Sequence, residues 1–346
     1  MDFQIDKEYL LDCFYAIVNA PSPVGYNAKL KPVIEKLAAD LGYAVTYDNK
    51  ETAYITIDGE DNSRTVMLSG HADTLGLMVR GVDANGWLRC RRLGGLCWAS
   101  AEGESVTVHT RDGREYTGMV ICKSHSVHVF DDGHTSARDD DTMRVLLDAP
   151  VTTKAEVNAL GIRNGDHISV DPHTELTANG YLKSRFIDDK AAIACMFAAL
   201  KAMQEAGLKP KYRTMLAFNY IEEVGLGATY VPEEVEEFVA VDIGLIGPDC
   251  DGHERAVTIC AKDNTAPYHY ELTNRLIRQA EKVGAEYAVD VFYRYGSDAT
   301  AAMRAGNNIR HAAFGMAVYC SHGRERTHID GLDATTKLIL AYMLDL

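Results

Sequence analysis

The stretch Met215-Leu216-Ala217-Phe218-Asn219-Tyr220-Ile221-Glu222-Glu223-Val224-Gly225-Leu226-Gly227 reads as a buried strand that runs straight into two adjacent carboxylates and a glycine-containing turn. Paired carboxylates at the C-terminal end of a buried strand repel each other and resist desolvation, so they need a compensating charge or a proton. A metal ion supplies such a charge.

Four more groups of the same kind lie near strand ends or strand-to-helix turns. His71 and Asp73 follow Thr65-Val66-Met67-Leu68, and Asp188-Asp189 precede a long apolar helix. Asp242 closes Phe238-Val239-Ala240-Val241, and His322 follows the run Ala313 to Tyr319. In open α/β sheets, ligands bind outside the carboxyl ends of the strands, so these residues are placed to converge on one cleft. Singly, each has an ordinary reading: Asp188 and Asp189 as helix caps, Asp73 as a turn former, His322 as a solvated loop histidine. Together they form the histidine and carboxylate mixture that suits zinc, cobalt or manganese.

At 346 residues the chain is long enough for a sizeable core and two domains. Its 35 basic against 50 acidic residues give a net charge of −15, which argues against nucleic acid or an anionic membrane as partner. Residues Met1 to Asp6 carry neither the basic region nor the apolar core of a signal peptide, and no apolar run reaches membrane-spanning length, so the cytoplasm is expected. The eight cysteines form no CxxC pair, which disfavours disulfides and a zinc knuckle.

Leu30, Val33, Ile34, Leu37, Ala38 and Leu41 repeat with helical spacing, with Asn27 as N-cap and Gly42 as stop. Tyr54 to Ile57 and Thr65 to Leu68 read as strands. From Thr74 to Thr177 the texture changes to short β-prone runs, with hairpin signals at Asn85-Gly86 and Asp112-Gly113 and one short helix near Thr153. Helical periodicity returns at Ala191 to Ala202, followed by alternating strands near Arg213, Phe238, Ala256, Tyr287 and Ala312 and helices at Leu272 to Val283 and Thr335 to Leu346. The expected organisation is one discontinuous α/β domain, residues 1–73 and 178–346, interrupted by a β-domain at 74–177. The acidic and histidine-rich loop at 125–141 reads as a solvated charge run.

A dinuclear metallohydrolase accounts for this residue set. Two divalent ions about 3.5–4 Å apart need a bridging carboxylate and terminal ligands on each, and a further carboxylate acts as general base and later protonates the leaving amine. Glu222 and Glu223 can divide those two tasks.

Almost the whole chain resembles the tetrahedral (TET-type) aminopeptidases, which include glutamyl and deblocking aminopeptidases and members once labelled endoglucanases. The resemblance rests on Ala20-Pro21-Ser22-Pro23-Val24-Gly25-Tyr26, on Gly70-His71-Ala72-Asp73, on Ala159 to Asp166, and on Phe186-Ile187-Asp188-Asp189-Lys190 with Glu222-Glu223-Val224-Gly225. It implies a phosphorylase/hydrolase-like α/β three-layer sandwich with a mixed sheet, plus an inserted small β-barrel-like domain used in homo-oligomer assembly, often a dodecamer. It makes Asp188 a bridging ligand, His71 and Asp242 ligands of opposite ions, Glu223 and His322 the remaining ligands, and Glu222 the general base. Asp73 would orient a ligand histidine, and Asp189 would follow Asp188 through a cis peptide. Two divalent ions per subunit are implied, zinc first, with short peptides as substrates.

The sequence departs from the family pattern at Thr74, in the Gly225-Leu226-Gly227 continuation, and in Cys320-Ser321-His322-Gly323-Arg324-Glu325-Arg326-Thr327-His328, which offers His328 as a second candidate for the last ligand. The wording from His322 to His328 resembles a subgroup associated with an acetylated glutamine-dipeptide osmoprotectant. Two other classes stay open: a glycosidase using two carboxylates without metal, and a non-catalytic scaffold.

Overall fold

The computed structural model describes residues 3–346, and the chain divides into two compact units. One comprises the residues up to Asp73 together with His173–Leu346; the other is Thr74–Pro172. The second boundary precedes the sequence expectation by five residues because Glu175–Leu176 pairs with Tyr181–Ser184, which in turn pairs with Glu325–His328. Those pairings tie the segment to the α/β unit.

The α/β unit is built on a nine-stranded mixed sheet. At its centre Tyr212–Asn219, Asp61–His71, Val235–Val241 and Arg310–Val318 run parallel in that spatial order. Ala53–Ile57 on one side and Val257–Lys262 on the other pair antiparallel with this block. Fully buried runs such as Met215 to Phe218 and Phe238 to Val241 explain why these strands lack apolar-polar alternation. Phe197 stacks on Phe218 with ring centroids 5.7 Å apart, and burying such a side chain contributes about 1.5–3 kcal/mol.

Registers align the carboxyl ends of the parallel block. Asn219 lies opposite His71, and Val241 opposite Phe314, so the segments that leave these strands emerge at one edge. The helix Ile187–Glu205 is buried nearly all round, consistent with its small-residue sequence, while Asp188 and Asp189 at its start depart from helical geometry. Among the described residues, no helix is long and apolar enough to cross a membrane.

The Thr74–Pro172 unit is a closed six-stranded barrel of Gly76–Val82, Leu88–Leu93, Met143–Leu147, Glu115–Cys122, Ser105–His109 and His167–Val170. Gly86 and Gly113, both at positive φ, make the turns of the two hairpins expected from sequence. Val79, Leu88, Val106, Val108, Val120, Val145 and Ile168 fill its interior. The acidic loop is engaged more than a solvated run implies: Asp140 accepts from Trp98 Nε1 at 2.6 Å and from Arg92 Nε at 2.9 Å.

Local starts and stops shift in three places. The first strand-end run stops at Asn219, and Glu222–Val224 forms a 3₁₀ turn. The second helix begins at Lys31 with Pro32 in its first turn, because the Asn27 side chain is spent on Glu51. The last helix begins at Ile329, where His328 accepts the Asp330 N–H at 3.0 Å and so caps it.

Candidate metal centre

Residues from five separated segments meet at the carboxyl edge of the sheet. His71 ends its strand with Nε2 2.9 Å from Asp188 Oδ1 and Nδ1 3.0 Å from the Asp73 backbone carbonyl oxygen. Its Nε2 also lies 3.8 Å from Glu222 Oε2. His322 Nε2 stands 3.6 Å from Glu223 Oε2 and 3.9 Å from Asp188 Oδ2. Asp242, one residue past its strand, accepts the Ile243 N–H at 2.6 Å.

Two donor groups emerge: His71 with Asp188 and Glu223, and His71 with Asp189 and Asp242, each with ligand atoms within 4.8 Å of one another. His71 belongs to both groups, and Asp242 to the second. His328 is engaged elsewhere, between the Asn179 carbonyl oxygen at 2.8 Å and the Asp330 N–H. The Asp188–Asp189 peptide is cis.

The backbone around these residues is held by a small set of contacts. Asp73 accepts the Glu222 N–H at 3.0 Å on one oxygen and the Glu223 N–H at 3.2 Å on the other. Asp189 Oδ2 accepts the His71 N–H at 3.0 Å. Ser22 Oγ donates to the Ala72 carbonyl oxygen at 2.7 Å, and the Gly25 N–H donates to the Tyr220 carbonyl oxygen at 3.1 Å. The Ala20 to Tyr26 stretch thus braces the chain on either side of the cluster. Gly315 has to be glycine, because a Cβ there would overlap the Asp242 backbone carbonyl.

Electrostatics put this cluster under stress in the absence of a cation. Burial pushes the Asp73 carboxyl up to about 6, and burial together with the neighbouring Asp188 pushes Asp242 up to about 7. Glu222, Glu223 and Asp189 are raised well above the usual carboxylate range, first by burial and then by surrounding carboxylates. For Asp188, burial is the largest single influence and pushes upward, but the hydrogen bond to His71 and the charges of His71 and His322 together outweigh it, and the net direction is down. Burial disfavours a charged His71, yet its carboxylate neighbours raise it well above the ordinary imidazole range. Lys190 does not relieve the excess: burial pushes it down to about 7, and its ammonium donates to the backbone oxygens of Ile17 and Ala20 at 3.0 and 2.6 Å.

The donor set fits divalent metal. Buried carboxylates and an imidazole of this mixture match zinc, manganese or cobalt preferences. Asp189 Oδ1 is moreover a buried oxygen with no hydrogen-bond partner. An adjoining cavity of 660 Å³ is lined by His71, Asp188, Glu222, Glu223, Asp242 and His322 on one side, and by Asn264, Thr265, Arg294, Tyr295 and Arg304 among others.

Sequence reading missed three contributors. Glu325 accepts the Asp188 N–H at 3.0 Å; it lay in view between His322 and His328 but does not follow an apolar run. Asp298 accepts the Ala228 N–H at 2.9 Å and bonds the Asn219 side chain, holding the loop beyond Glu223. An acid in the first turn of a serine-capped helix carries no signal of its own. Lys50 reaches the same loop from a distant turn, donating to the Leu226 carbonyl oxygen at 2.5 Å and to Thr229 Oγ1 at 2.8 Å.

A family model described as M42 glutamyl aminopeptidase matches residues 52–338. YhfE of Bacillus subtilis (strain 168), whose aminopeptidase name is provisional, is 37% identical over 328 residues, covering 94% of this chain and 95% of YhfE. The glutamyl aminopeptidase of Lactococcus lactis subsp. cremoris (strain MG1363) is 24% identical over 219 residues, 63% of this chain and 61% of its own length. Among solved structures, the TET aminopeptidase of Thaumarchaeota archaeon SCGC AB-539-E09 superposes with a TM-score of 0.87 at 17% identity, covering 98% of this chain and 97% of that one. The Pyrococcus horikoshii TET1 peptidase, which assembles into a tetrahedron or a large octahedral shell, gives 0.85 at 23% identity, covering 97% and 100%.

Proposed function

The chain belongs to the M42 glutamyl aminopeptidase family and is a metal-dependent aminopeptidase; on that premise we propose that it uses two divalent ions to remove N-terminal residues from short peptides. The observation that carries this reading is the convergence of His71, Asp188, Glu223 and Asp242 on one cavity, with His322 beside Glu223 and Asp189 buried behind His71 and Asp242 in the same cluster. His71 and Asp242 would hold one ion, Glu223 and His322 the other, and Asp188 would serve both. Zinc is the first choice by ligand type.

Metal held by these residues would supply a Lewis acid for the scissile carbonyl and would lower the pKa of the attacking water. Glu222 lies at the cavity wall, beside the donor groups and outside both. Its Oε atoms take a proton from that water and return it to the leaving amine. Burial makes Glu222 a better proton acceptor than an exposed carboxylate, which suits this exchange. Asp73 contributes by fixing the two backbone N–H groups of Glu222 and Glu223, so general base and ligand keep their separate directions.

The barrel unit offers none of these residues, and we assign it to self-association into a closed homo-oligomer. The shells formed by the Pyrococcus horikoshii neighbour support that assignment, and a dodecamer is one such closed form. Cytoplasmic location fits reduced cysteines, all eight of which are free.

Hydrolysis of free and N-acetylated glutamine dipeptides tests substrate class. Turnover of the free peptide alone supports the ordinary aminopeptidase; turnover of the acetylated one alone supports a blocked-dipeptide hydrolase. Inactivity on both these and longer peptides, with chelator-resistant glycan cleavage, would sink the proposal.

A further inference from the structure

The barrel unit carries a second cavity, of 580 Å³, edged by Arg80, Arg89, Lys154 and Arg163 with Asn158 and Asn164. All four cations are exposed. They come from Gly76–Val82, from Leu88–Leu93, from Lys154–Ala159 and from the turn that follows, so four chain segments deliver positive charge to one hollow. In a chain of net charge −15, this concentration runs against the average surface.

The cations are also poorly matched by acids. Among the described residues, the side chains of Arg80, Lys154 and Arg163 make no ion pair or hydrogen bond. Arg89 Nε has Asp83 at 3.2 Å, but that carboxylate is shared with Arg144, whose Nε lies 2.7 Å from its other oxygen.

Backbone irregularity shapes the hollow. The register between Gly76–Val82 and Leu88–Leu93 slips between Val79 and Gly81, which makes Arg80 the extra residue of a β-bulge. A bulge re-aims a side chain that regular pairing would direct otherwise. At Gly81 a Cβ would stand 2.6 Å from Arg89 Nη2, so the glycine lets that guanidinium lie over the strand where a larger residue would push it aside. Ile162, fully buried, closes the floor.

A single exposed ion pair contributes little, so the ligand that suits this site is one that meets several cations at once. Guanidinium forks match the oxygen spacing of phosphate and hold it in two-point contact. We propose that this cavity binds a soluble anion carrying two or more phosphate groups, independently of the peptidase site.

The test is calorimetric titration of the metal-loaded full chain with fructose 1,6-bisphosphate, a probe that chelates divalent metal only weakly. Saturable binding near one equivalent per chain is expected, weakened about tenfold or more in Arg80→Ala/Arg163→Ala and by added salt, with peptide hydrolysis by the variant unchanged. No saturable binding up to about 1 mM probe, or equal binding by the double variant, overturns the proposal. Absence of binding together with a smaller assembly in the double variant also overturns it, and assigns the cations to an acidic segment of a second copy.

Discussion

The Glu325 carboxylate accepts the backbone N–H of Asp188 at 3.0 Å, although 137 positions separate the two residues. Ser184, four residues before Asp188, is paired with Glu325 across the Tyr181–Ser184 and Glu325–His328 strands. The last motif of the chain therefore fixes the start of the Ile187–Glu205 helix, where Asp188, the proposed shared ligand, sits.

Replacing Glu325 by Ala removes that acceptor and frees the Asp188 backbone. Metal affinity should fall about 10–100-fold, as for other groups that orient a ligand, whereas Glu325→Gln keeps an acceptor oxygen and should retain most of it. Equilibrium dialysis of both variants reads the difference. Equal affinity in wild type and Glu325→Ala would remove Glu325 from the support of the site.

Lys50 holds the loop beyond Glu223 through the Leu226 and Gly227 carbonyl oxygens and Thr229 Oγ1. In Lys50→Met the loop should loosen and displace Glu222 relative to the substrate. Small misplacements of a catalytic group cost up to about 100-fold, so kcat should drop by about tenfold or more while KM and metal content stay near wild type. A loss of metal equal to the loss of rate would mean that Lys50 acts on the ligands instead.

The raised carboxyls predict that metal uptake expels protons. With Asp242 pushed up to about 7 and Glu222, Glu223 and Asp189 raised well above the usual carboxylate range, the metal-free site holds protons that divalent ions must displace. Protons compete with metal, so affinity should rise with pH from about 5 to about 8 and weaken on acidification. Calorimetry in buffers of different ionisation enthalpy measures the release directly; a buffer-independent heat would contradict it.

Much of this site was legible because buried parallel strands announce themselves as unbroken apolar runs, and the polar residue after each run falls at the same sheet edge. His71, Asp242 and the Glu222-Glu223 pair are all read that way. The barrel was equally visible, since Asn85-Gly86 and Asp112-Gly113 demand positive φ at the glycines and the structure uses both in hairpins. What escaped depends on partners far away in sequence. Tyr220 and Ile221 are as apolar as the strand before them, so nothing local says that pairing ends at Asn219. Glu325 and Lys50 act through contacts 137 and 176 to 179 residues distant. Asn27 looks like a helix cap, but its side chain bonds Glu51 and the helix starts at Lys31.

Metal content and turnover of Glu222→Gln, measured beside Glu223→Gln, bear most directly on the division of labour at the centre. Glu222→Gln should keep about two divalent ions per chain and lose peptide turnover by about 100-fold or more, because Glu222 is assigned to proton transfer and not to metal. Glu223→Gln should lose metal. Full turnover by Glu222→Gln, or equal metal loss in both variants, would contradict the assignment.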